Sequence, residues 1–258
     1  MPPIEAVTFD LGDTITDLRE GRPEYETRGK ARAAVVYDRL ALAGLVSSDG
    51  REAFAAALAG AIESHYAAAV AQQQGVTIVE TLRWFYEREG LAVAPGLVEQ
   101  TAEAWCLAST AGADPMGRAG LRLGAREVLA ALQGRGLRLG VISNTIQPGR
   151  YLDAKLARDG LLRYFSATVY SSDAGVAKPH PAIFEAALAA LGVAADRAVH
   201  VGDRLLNDVA GAQAAGLRAV LIEVPQRVER DPHIRPDARI RELPELLAAL
   251  ASLAGGEA

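Results

Sequence analysis

The stretch Ile4-Glu5-Ala6-Val7-Thr8-Phe9-Asp10-Leu11-Gly12-Asp13-Thr14 joins a short apolar run to a polar tip. Residues 4–9 predict a buried strand, and Asp10 then lies where that strand ends. The hydroxyl of Thr14 follows four residues later. A carboxylate at a strand tip with a hydroxyl nearby is typical of a nucleophile that attacks phosphorus. The stretch therefore indicates both a sheet and a phosphoryl-transfer site.

Further apolar runs along the chain predict that this strand belongs to a parallel sheet. They lack the polar alternation of half-exposed strands, and they cover residues 137–142, 167–170, 198–201 and 219–222. Helical patterns lie between them, at residues 148–158, 181–191 and 205–215. Gly192 and Gly216 directly follow the last two patterns, as expected just past a helix C-terminus. This alternation predicts an α/β fold with a doubly wound, Rossmann-like parallel sheet.

The first interval between strands is far longer than one crossover helix requires. It holds Ala-rich helical patterns at residues 25–43, 51–73, 77–88 and 96–109, and Thr77 with Glu80 forms a predicted capping box. We therefore expect an all-helical cap domain at residues 17–119, inserted into a core domain formed by residues 1–16 and 120–258. Hinges are expected at residues 16–21 and 112–120, the second of which is rich in glycine.

The composition limits the classes of protein and of partner. Half of the 258 residues are apolar, which is sufficient for a sizeable core, and the net charge of −5 argues against nucleic acid or an anionic membrane as the main partner. The single cysteine, Cys106, excludes an internal disulfide, and we expect it to be buried on a helix. We see no signal peptide and no uninterrupted apolar stretch long enough to span a bilayer, so we expect a cytoplasmic protein without a membrane partner.

Polar residues follow the carboxyl ends of four predicted strands, where ligands bind in open α/β sheets. They are Asp10, Asp13 and Thr14 after the first strand, Ser143 and Asn144 after the second, Lys178 after the third, and Gly202, Asp203 and Asp208 after the fourth. The fold predicts one crevice for these groups, which lie far apart in the sequence. Carboxylates supply hard oxygen ligands for Mg²⁺, whereas Ser143 and Lys178 are suited to hold phosphate oxygens.

These motifs resemble those of the haloacid dehalogenase-like hydrolase superfamily, most of which are Mg²⁺-dependent phosphatases. The matching segments are Val7-Thr8-Phe9-Asp10-Leu11-Gly12-Asp13-Thr14, Val141-Ile142-Ser143-Asn144, Ala177-Lys178-Pro179-His180-Pro181, and His200-Val201-Gly202-Asp203 with Asn207-Asp208. Four ordered motifs at strand ends are a specific signal, whereas any one alone would be weak. The helical insertion is similar to the mobile cap that the family carries between its first two motifs.

The resemblance implies a role for each matching residue. Asp10 would be the nucleophile that becomes an aspartyl phosphate. Lys178 would be catalytic and would bind the phosphoryl group together with Ser143. Asn144 and Thr14 complete the predicted phosphate-binding set, although Asn144 could instead cap a helix and Thr14 would act by supporting its loop. The expected partner is a small phosphorylated substrate.

The resemblance also implies a Mg²⁺ site and the loss of the general acid and base. Asp10, the backbone carbonyl of Gly12 and Asp203 would ligate the ion, and Asp208 would act on its water shell or orient Lys178. Phosphatases of this family usually have, at the position of Gly12, the aspartate that serves as general acid and base. Glycine keeps the carbonyl and hence the metal site, whereas the lost proton transfer lowers the rate by about a hundred- to ten-thousandfold.

Three functions are compatible with this sequence. The first is a Mg²⁺-dependent phosphohydrolase that acts on a small phosphorylated metabolite and is weakened at Gly12. The second is a catalytically impaired relative that binds a phosphorylated ligand. The third is a haloacid dehalogenase, since those relatives also lack the acid at this position; against it, they lack the metal-binding aspartate that is present here as Asp203. Asp13 and Asp17 are the first candidates for a substitute acid.

Overall fold

The computed structural model describes residues 3–17, 23–47, 49–108, 120–224, 229 and 231–255. Within these residues, six parallel strands form one sheet in the order β3-β2-β1-β4-β5-β6. The strands are β1 (Ala6–Phe9), β2 (Arg138–Ser143), β3 (Ala167–Tyr170), β4 (Ala198–Gly202), β5 (Arg218–Ile222) and β6 (Ala238–Ile240). The predicted α/β fold with a doubly wound parallel sheet is confirmed.

Strand β1 lies inside the sheet and is buried on both faces, which explains why its sequence is apolar without alternation. Val7 and Phe9 belong to one apolar cluster, whereas Ala6 belongs to the cluster on the opposite face. The first face is covered by α5 (Ala125–Gly134), α6 (Gly149–Arg158) and α10 (Leu246–Leu253), and the second by α8 (Pro181–Leu191) and α9 (Gly211–Ala214).

Three elements differ from the sequence prediction. Strand β6 was missed because it has only three residues, and its pairing with β5 decides its conformation. A short helix, α7 (Ser171–Ala174), lies where only a loop was expected. The helix predicted at residues 205–215 begins as a π-helical turn, Leu205–Ala210, which α9 continues. Such turns are frequent at functional sites, and this one contains Asp208.

Between β1 and α5, the described residues form four helices: α1 (Pro23–Leu42), α2 (Arg51–Ala71), α3 (Ile78–Arg88) and α4 (Pro95–Ala108). They share one apolar cluster, in which Leu58 and Cys106 are buried. The predicted capping box of α3 is confirmed. The backbone N–H of Glu80 donates to Thr77 Oγ1 (3.2 Å), and the backbone N–H of Thr77 donates to Glu80 Oε2 (2.8 Å).

The four helices also contact loops of the sheet. The backbone N–H of Ile78 donates to the carbonyl of Ile146 (2.8 Å), and Gln74 forms an antiparallel bridge with Val176. The predicted hinge residues 18–21 and 112–119 lie outside the described residues. The division into a cap at 17–119 and a core at 1–16 and 120–258 therefore stays a prediction.

Among the described helices, α2 is long and apolar enough to cross a bilayer by length and composition alone. The expectation from the sequence concerned uninterrupted apolar stretches, and Glu52 and Glu63 interrupt α2, so this criterion does not contradict it. A packed helix of a soluble protein meets the same criterion, and α2 packs on α1 and α3 through residues such as the fully buried Leu58. Its apolar character comes mainly from alanine, and Glu63 and His65 lie near its middle.

Candidate active site

The candidate site lies at the carboxyl edge of the sheet, where the strand order reverses. Strand β1 has β2 on one side and β4 on the other, and ligands bind at such a switch point. Asp10 directly follows β1, Ser143 is the last residue of β2, and Asp203 directly follows β4. The fold therefore brings these three predicted site residues to one edge, and each is almost completely buried.

Lys178 is the centre of the polar network at this edge. Its side chain is 2% exposed, and its Nζ donates to Asp10 Oδ1 (2.7 Å), to Asp208 Oδ1 (2.6 Å) and to the carbonyl of Ile142 (2.9 Å). An ammonium group has three donors, so these three acceptors use all of them.

Asn144 fixes the backbone at Lys178. Its Nδ2 donates to the carbonyl of Lys178 (2.9 Å), and its Oδ1 accepts from the N–H of the same residue (2.8 Å). The predicted contact of Asn144 with phosphate stays a prediction. In the structure, the Asn144 amide holds the loop between β3 and α8. This positions the ammonium group of Lys178 next to Asp10 at the end of β1.

Asp208 is held by three donors. Lys178 Nζ and His200 Nε2 both approach its Oδ1, at 2.6 and 3.2 Å, and the backbone N–H of Arg204 donates to its Oδ2 (2.9 Å). A Cβ atom on Gly202 would lie 2.2 Å from Cγ of Asp208. Glycine is therefore required at position 202 because the carboxylate packs directly against the backbone of β4.

Burial and charge together shift the pKa values of these groups. Burial raises the pKa of Asp10 to about 6, and the attraction of Lys178 offsets part of that rise. For Asp208, burial acts in the same direction, but Lys178 and His200 outweigh it and hold the pKa below its usual range. Burial alone would lower the pKa of Lys178, and the two carboxylates more than compensate, so its pKa rises. The ammonium group therefore stays charged.

The loop after β1 is shaped by contacts that the sequence did not indicate. Asp13 has a left-handed backbone (φ 53°), and its carbonyl accepts from Arg122 Nη1 (2.8 Å). Gly12 forms a parallel bridge with Thr16. Thr14 is fully buried, and its hydroxyl has no hydrogen-bond partner within the described residues. A buried hydroxyl in this position requires a polar partner, such as a ligand or a water molecule.

The charges of the crevice suit a divalent cation. Asp10, Asp203 and Asp208 are all buried, whereas Lys178 is the buried cation among them, and Arg204 Nε lies 3.9 Å from Asp203 Oδ2. Such an excess of buried carboxylate is unfavourable unless a cation compensates it, and hard oxygen ligands favour Mg²⁺. Among the described residues, no group of three or more His, Cys, Asp or Glu side chains could hold a metal. The predicted site needs only two carboxylates and the carbonyl of Gly12.

Two neighbours of the site received no role from the sequence. His200 appeared only as the first residue of a matching segment, and Arg122 was not singled out. The signal for His200 was its place in an otherwise apolar run, opposite Thr8 once β1 and β4 are paired. Arg122 gave no signal, because its contact with Asp13 depends on the way the chain returns to the sheet.

Residues 4–216 match the sequence model of the haloacid dehalogenase-like hydrolase family. The chain therefore belongs to the haloacid dehalogenase-like hydrolase family. Curated relatives include a phosphoserine phosphatase of Thermus thermophilus, 40% identical over 127 residues, which are 49% of this chain and 50% of the relative. A glyceraldehyde 3-phosphate phosphatase of Pyrococcus furiosus is 36% identical over 129 residues, which are 49% and 53% of the two chains. The chain spans about half the length of the curated relatives it matches.

Solved structures match almost the whole chain. A 2-haloacid dehalogenase of Pseudomonas syringae pv. Tomato superposes with a TM-score of 0.68 and 28% identity, over 97% of this chain and 99% of that one. A phosphatase of the same family from Thermococcus onnurineus has a TM-score of 0.58 and 25% identity, over 98% and 99%. The similar proteins of this family thus include phosphatases as well as a dehalogenase.

Proposed function

We propose that this protein is a Mg²⁺-dependent phosphohydrolase that acts on a small phosphorylated metabolite through an aspartyl phosphate on Asp10. The observation that carries the proposal is the hydrogen bond of 2.7 Å between Lys178 Nζ and Asp10 Oδ1 in a buried, carboxylate-rich crevice. Lys178 orients the nucleophile in the free protein and offsets charge as the phosphoryl group transfers. The phosphatases among the similar proteins support the same reaction class.

The proposed chemistry has two steps. A carboxylate oxygen of Asp10 attacks phosphorus, the bond from phosphorus to the leaving oxygen breaks, and that oxygen departs with its electron pair. Water then attacks the phosphorus of the aspartyl phosphate, which releases inorganic phosphate and restores the carboxylate. Asn144 keeps Lys178 in place during both steps through its two hydrogen bonds to the backbone of that residue.

Asp10, Asp203 and the carbonyl of Gly12 would hold the Mg²⁺ ion, with Asp208 behind them. When bound, the ion would neutralise charge on the phosphoryl group and on these carboxylates. Asp208, locked by three donors, holds the ammonium group of Lys178 beside the nucleophile. The buried hydroxyl of Thr14 is available to complete the polar lining of the site.

Gly12 makes the reaction selective for good leaving groups. Without an acid at this position, the leaving oxygen departs as its anion, and no base activates the water that attacks the aspartyl phosphate. Acyl and aryl phosphates, whose leaving groups have low pKa values, should therefore be hydrolysed faster than alkyl phosphates. The missing proton transfer accounts for about a hundred- to ten-thousandfold in rate.

The four helices α1–α4 would act as a cap over this crevice. We propose that the cap comprises residues 17–119 and that the remainder forms the core. The bridge from Gln74 to Val176 and the hydrogen bond from Ile78 to Ile146 support this, since both join the helices to loops at the carboxyl edge of the sheet. The cap would exclude water and select the substrate. A cytoplasmic location and the absence of nucleic acid or membrane partners stay predictions.

A haloacid dehalogenase is the second candidate. Gly12 favours it, because displacement at carbon needs no proton on the leaving halide, and one of the similar structures is a 2-haloacid dehalogenase. The buried Asp203 argues against it, since a displacement at carbon does not require a metal-binding carboxylate there. Halide release from 2-chloropropionate in the absence of divalent metal would establish this alternative.

The experiment that tests the proposal is a substrate panel with and without Mg²⁺. It should include acetyl phosphate, p-nitrophenyl phosphate, phosphoserine and glyceraldehyde 3-phosphate, with Asp10→Asn as the control. We expect Mg²⁺-dependent turnover of the first two, slower turnover of the alkyl esters, and none in the variant. Phosphate binding without turnover of any substrate would instead support the catalytically impaired relative.

A further inference from the structure

We infer that His200 is a positioning residue that locks Asp208, and through Asp208 the ammonium group of Lys178, beside the nucleophile. The role of this histidine in the reaction rests on the proposed function. Its hydrogen bonds do not, because they are properties of the free protein and can be measured without any substrate.

His200 is completely enclosed and both of its ring nitrogens have partners. Nδ1 lies 2.9 Å from Thr8 Oγ1, and Nε2 lies 3.2 Å from Asp208 Oδ1. The ring packs edge-on against Phe184, with centroids 5.1 Å apart. Thr8 and His200 are direct partners in the pairing of β1 with β4, so the hydroxyl and the imidazole face each other because of the sheet register.

The partners determine which nitrogen carries the proton. Asp208 is ionised and can only accept, so Nε2 of His200 must carry the hydrogen that it donates. Burial disfavours the charged ring, and a neutral imidazole has one donor and one acceptor nitrogen. Nδ1 is therefore the acceptor, and Thr8 must donate its hydroxyl hydrogen to it. The chain of donors runs from Thr8 to His200 to Asp208.

This chain limits the freedom of Asp208. The backbone N–H of Arg204 holds one carboxylate oxygen, and His200 and Lys178 share the other. Without His200, the shared oxygen keeps Lys178 Nζ as its one remaining donor among these contacts. An apolar ring would fill the same space against Phe184, so packing alone does not require histidine. The hydrogen bonds of the imidazole are what this residue adds.

The test combines a readout of the free protein with kinetics. In the free wild-type protein, ¹⁵N NMR should show His200 as the neutral tautomer with hydrogen on Nε2, and the loss of these signals in His200→Phe assigns them to this ring. His200→Phe keeps the packing and removes both hydrogen bonds. We expect kcat for acetyl phosphate to fall by about 10–100-fold, the effect typical of residues that orient an active group, with little change in KM.

His200→Gln is the conservative variant, because its amide N–H can reach the position of Nε2 and should restore most of kcat. Thr8→Val removes the hydroxyl that donates to Nδ1 and keeps the tautomer that Asp208 fixes, so it should lower kcat by less than His200→Phe does. It keeps the proposal testable if His200→Phe does not fold, because wild-type kcat in Thr8→Val would show that the chain of donors does not act on the reaction. Hydrogen on Nδ1 in the wild type, or wild-type kcat in His200→Phe, would overturn the inference. Absence of phosphatase activity in the wild type would refute the proposed function and the kinetic role, while the NMR result would still decide the hydrogen-bond chain.

Discussion

The crevice around Lys178 and the apolar cluster of helices α1–α4 differ in the interactions that hold them. In the crevice, buried charges are joined by a few short hydrogen bonds between residues up to 168 positions apart. In the helices, the interior is mainly apolar, and hydrogen bonds such as that from the Tyr86 hydroxyl to Thr101 Oγ1 (2.9 Å) join residues that are much closer in the sequence.

The difference predicts separate consequences for activity and stability. A buried ion pair as a whole contributes little net stability, because the desolvation of its charges opposes their attraction, whereas burial of apolar side chains stabilises a fold directly. Isosteric substitutions that keep the hydrogen bonds of the crevice should therefore change the reaction more than the free energy of unfolding. Substitutions in the helical cluster should do the reverse.

The largest effect is expected from Asp10→Asn. The change removes the nucleophile while preserving the shape of the side chain, so hydrolysis of every phosphate ester should be abolished. The melting temperature should not fall, because burial raises the pKa of Asp10 to about 6, so the ionised carboxylate disfavours the folded state near neutral pH and the neutral amide does not. Asp196→Asn, at an exposed position far from the crevice, is the matched control for activity and melting temperature. Residual turnover in Asp10→Asn would remove Asp10 from the mechanism.

The second effect tests the missing acid. Gly12→Asp should raise the turnover of alkyl phosphates such as phosphoserine by up to about a hundred- to ten-thousandfold, because it restores a proton donor. Gly12 is not one of the positive-φ glycines in the described part of the chain, so its backbone is compatible with a side chain. Acetyl phosphate should gain less, which makes it the internal comparison. Equal gains for both substrates would show that proton donation is not what Gly12→Asp supplies.

The third effect concerns the metal. Asp203→Ala should weaken Mg²⁺ binding by more than the roughly 10–100-fold that is typical of changes to outer residues. Isothermal titration calorimetry on the free protein measures this without a substrate. Asp196→Ala serves as the control for the loss of a carboxylate. Unchanged Mg²⁺ affinity in Asp203→Ala would mean that the ion binds elsewhere.

The fourth prediction tests the contact between the two regions. The carbonyl of Gly175 accepts from the backbone N–H of Gly75 (3.0 Å), and a Cβ atom at position 75 would lie 1.8 Å from the carbonyl oxygen of Ser171. Gly75→Val must therefore displace the segment that pairs with the loop before Lys178. We expect faster amide exchange at residues 73–78 and a moderate fall in kcat.

Gly60→Ala is the matched control for Gly75→Val, because Gly60 lies on α2 with no atom within 4 Å of its Cβ position. This variant should stabilise α2 by about 0.5–1 kcal/mol and leave kcat unchanged. If Gly75→Val behaves like Gly60→Ala in exchange and in kcat, the contact does not couple the helices to the crevice.

The smallest effect on the reaction is expected from Leu58→Ala. This side chain is fully buried in the helical cluster, so its truncation should lower the free energy of unfolding by about 2–5 kcal/mol. At a temperature where the variant is folded, kcat for acetyl phosphate should equal that of the wild type. Urea unfolding and steady-state kinetics on the same sample give both values. A large loss of kcat in folded Leu58→Ala would contradict the proposed separation of the two regions.

The sequence by itself determined the features that depend on local pattern. The apolar runs specified five strands, because a strand buried on both faces shows no polar alternation. Thr77 and Glu80 predicted the start of α3, since a capping box involves residues only three positions apart. Asp10, Ser143, Lys178 and Asp203 could be identified as site candidates because each follows a strand whose carboxyl end must lie at the same edge of the sheet.

Only the tertiary structure decided how those candidates are connected. Lys178 Nζ reaches its three acceptors because separate segments of the chain pack at one edge of the sheet. The same packing lets the Asn144 side chain form a hydrogen bond with the backbone of Lys178. The contact of His200 with Thr8 joins residues 192 positions apart through the strand register. Strand β6 exists because β5 offers it backbone partners, since three residues carry no period of their own. Local sequence encodes the conformation of a segment, whereas hydrogen bonds between distant segments depend on the fold that brings them together.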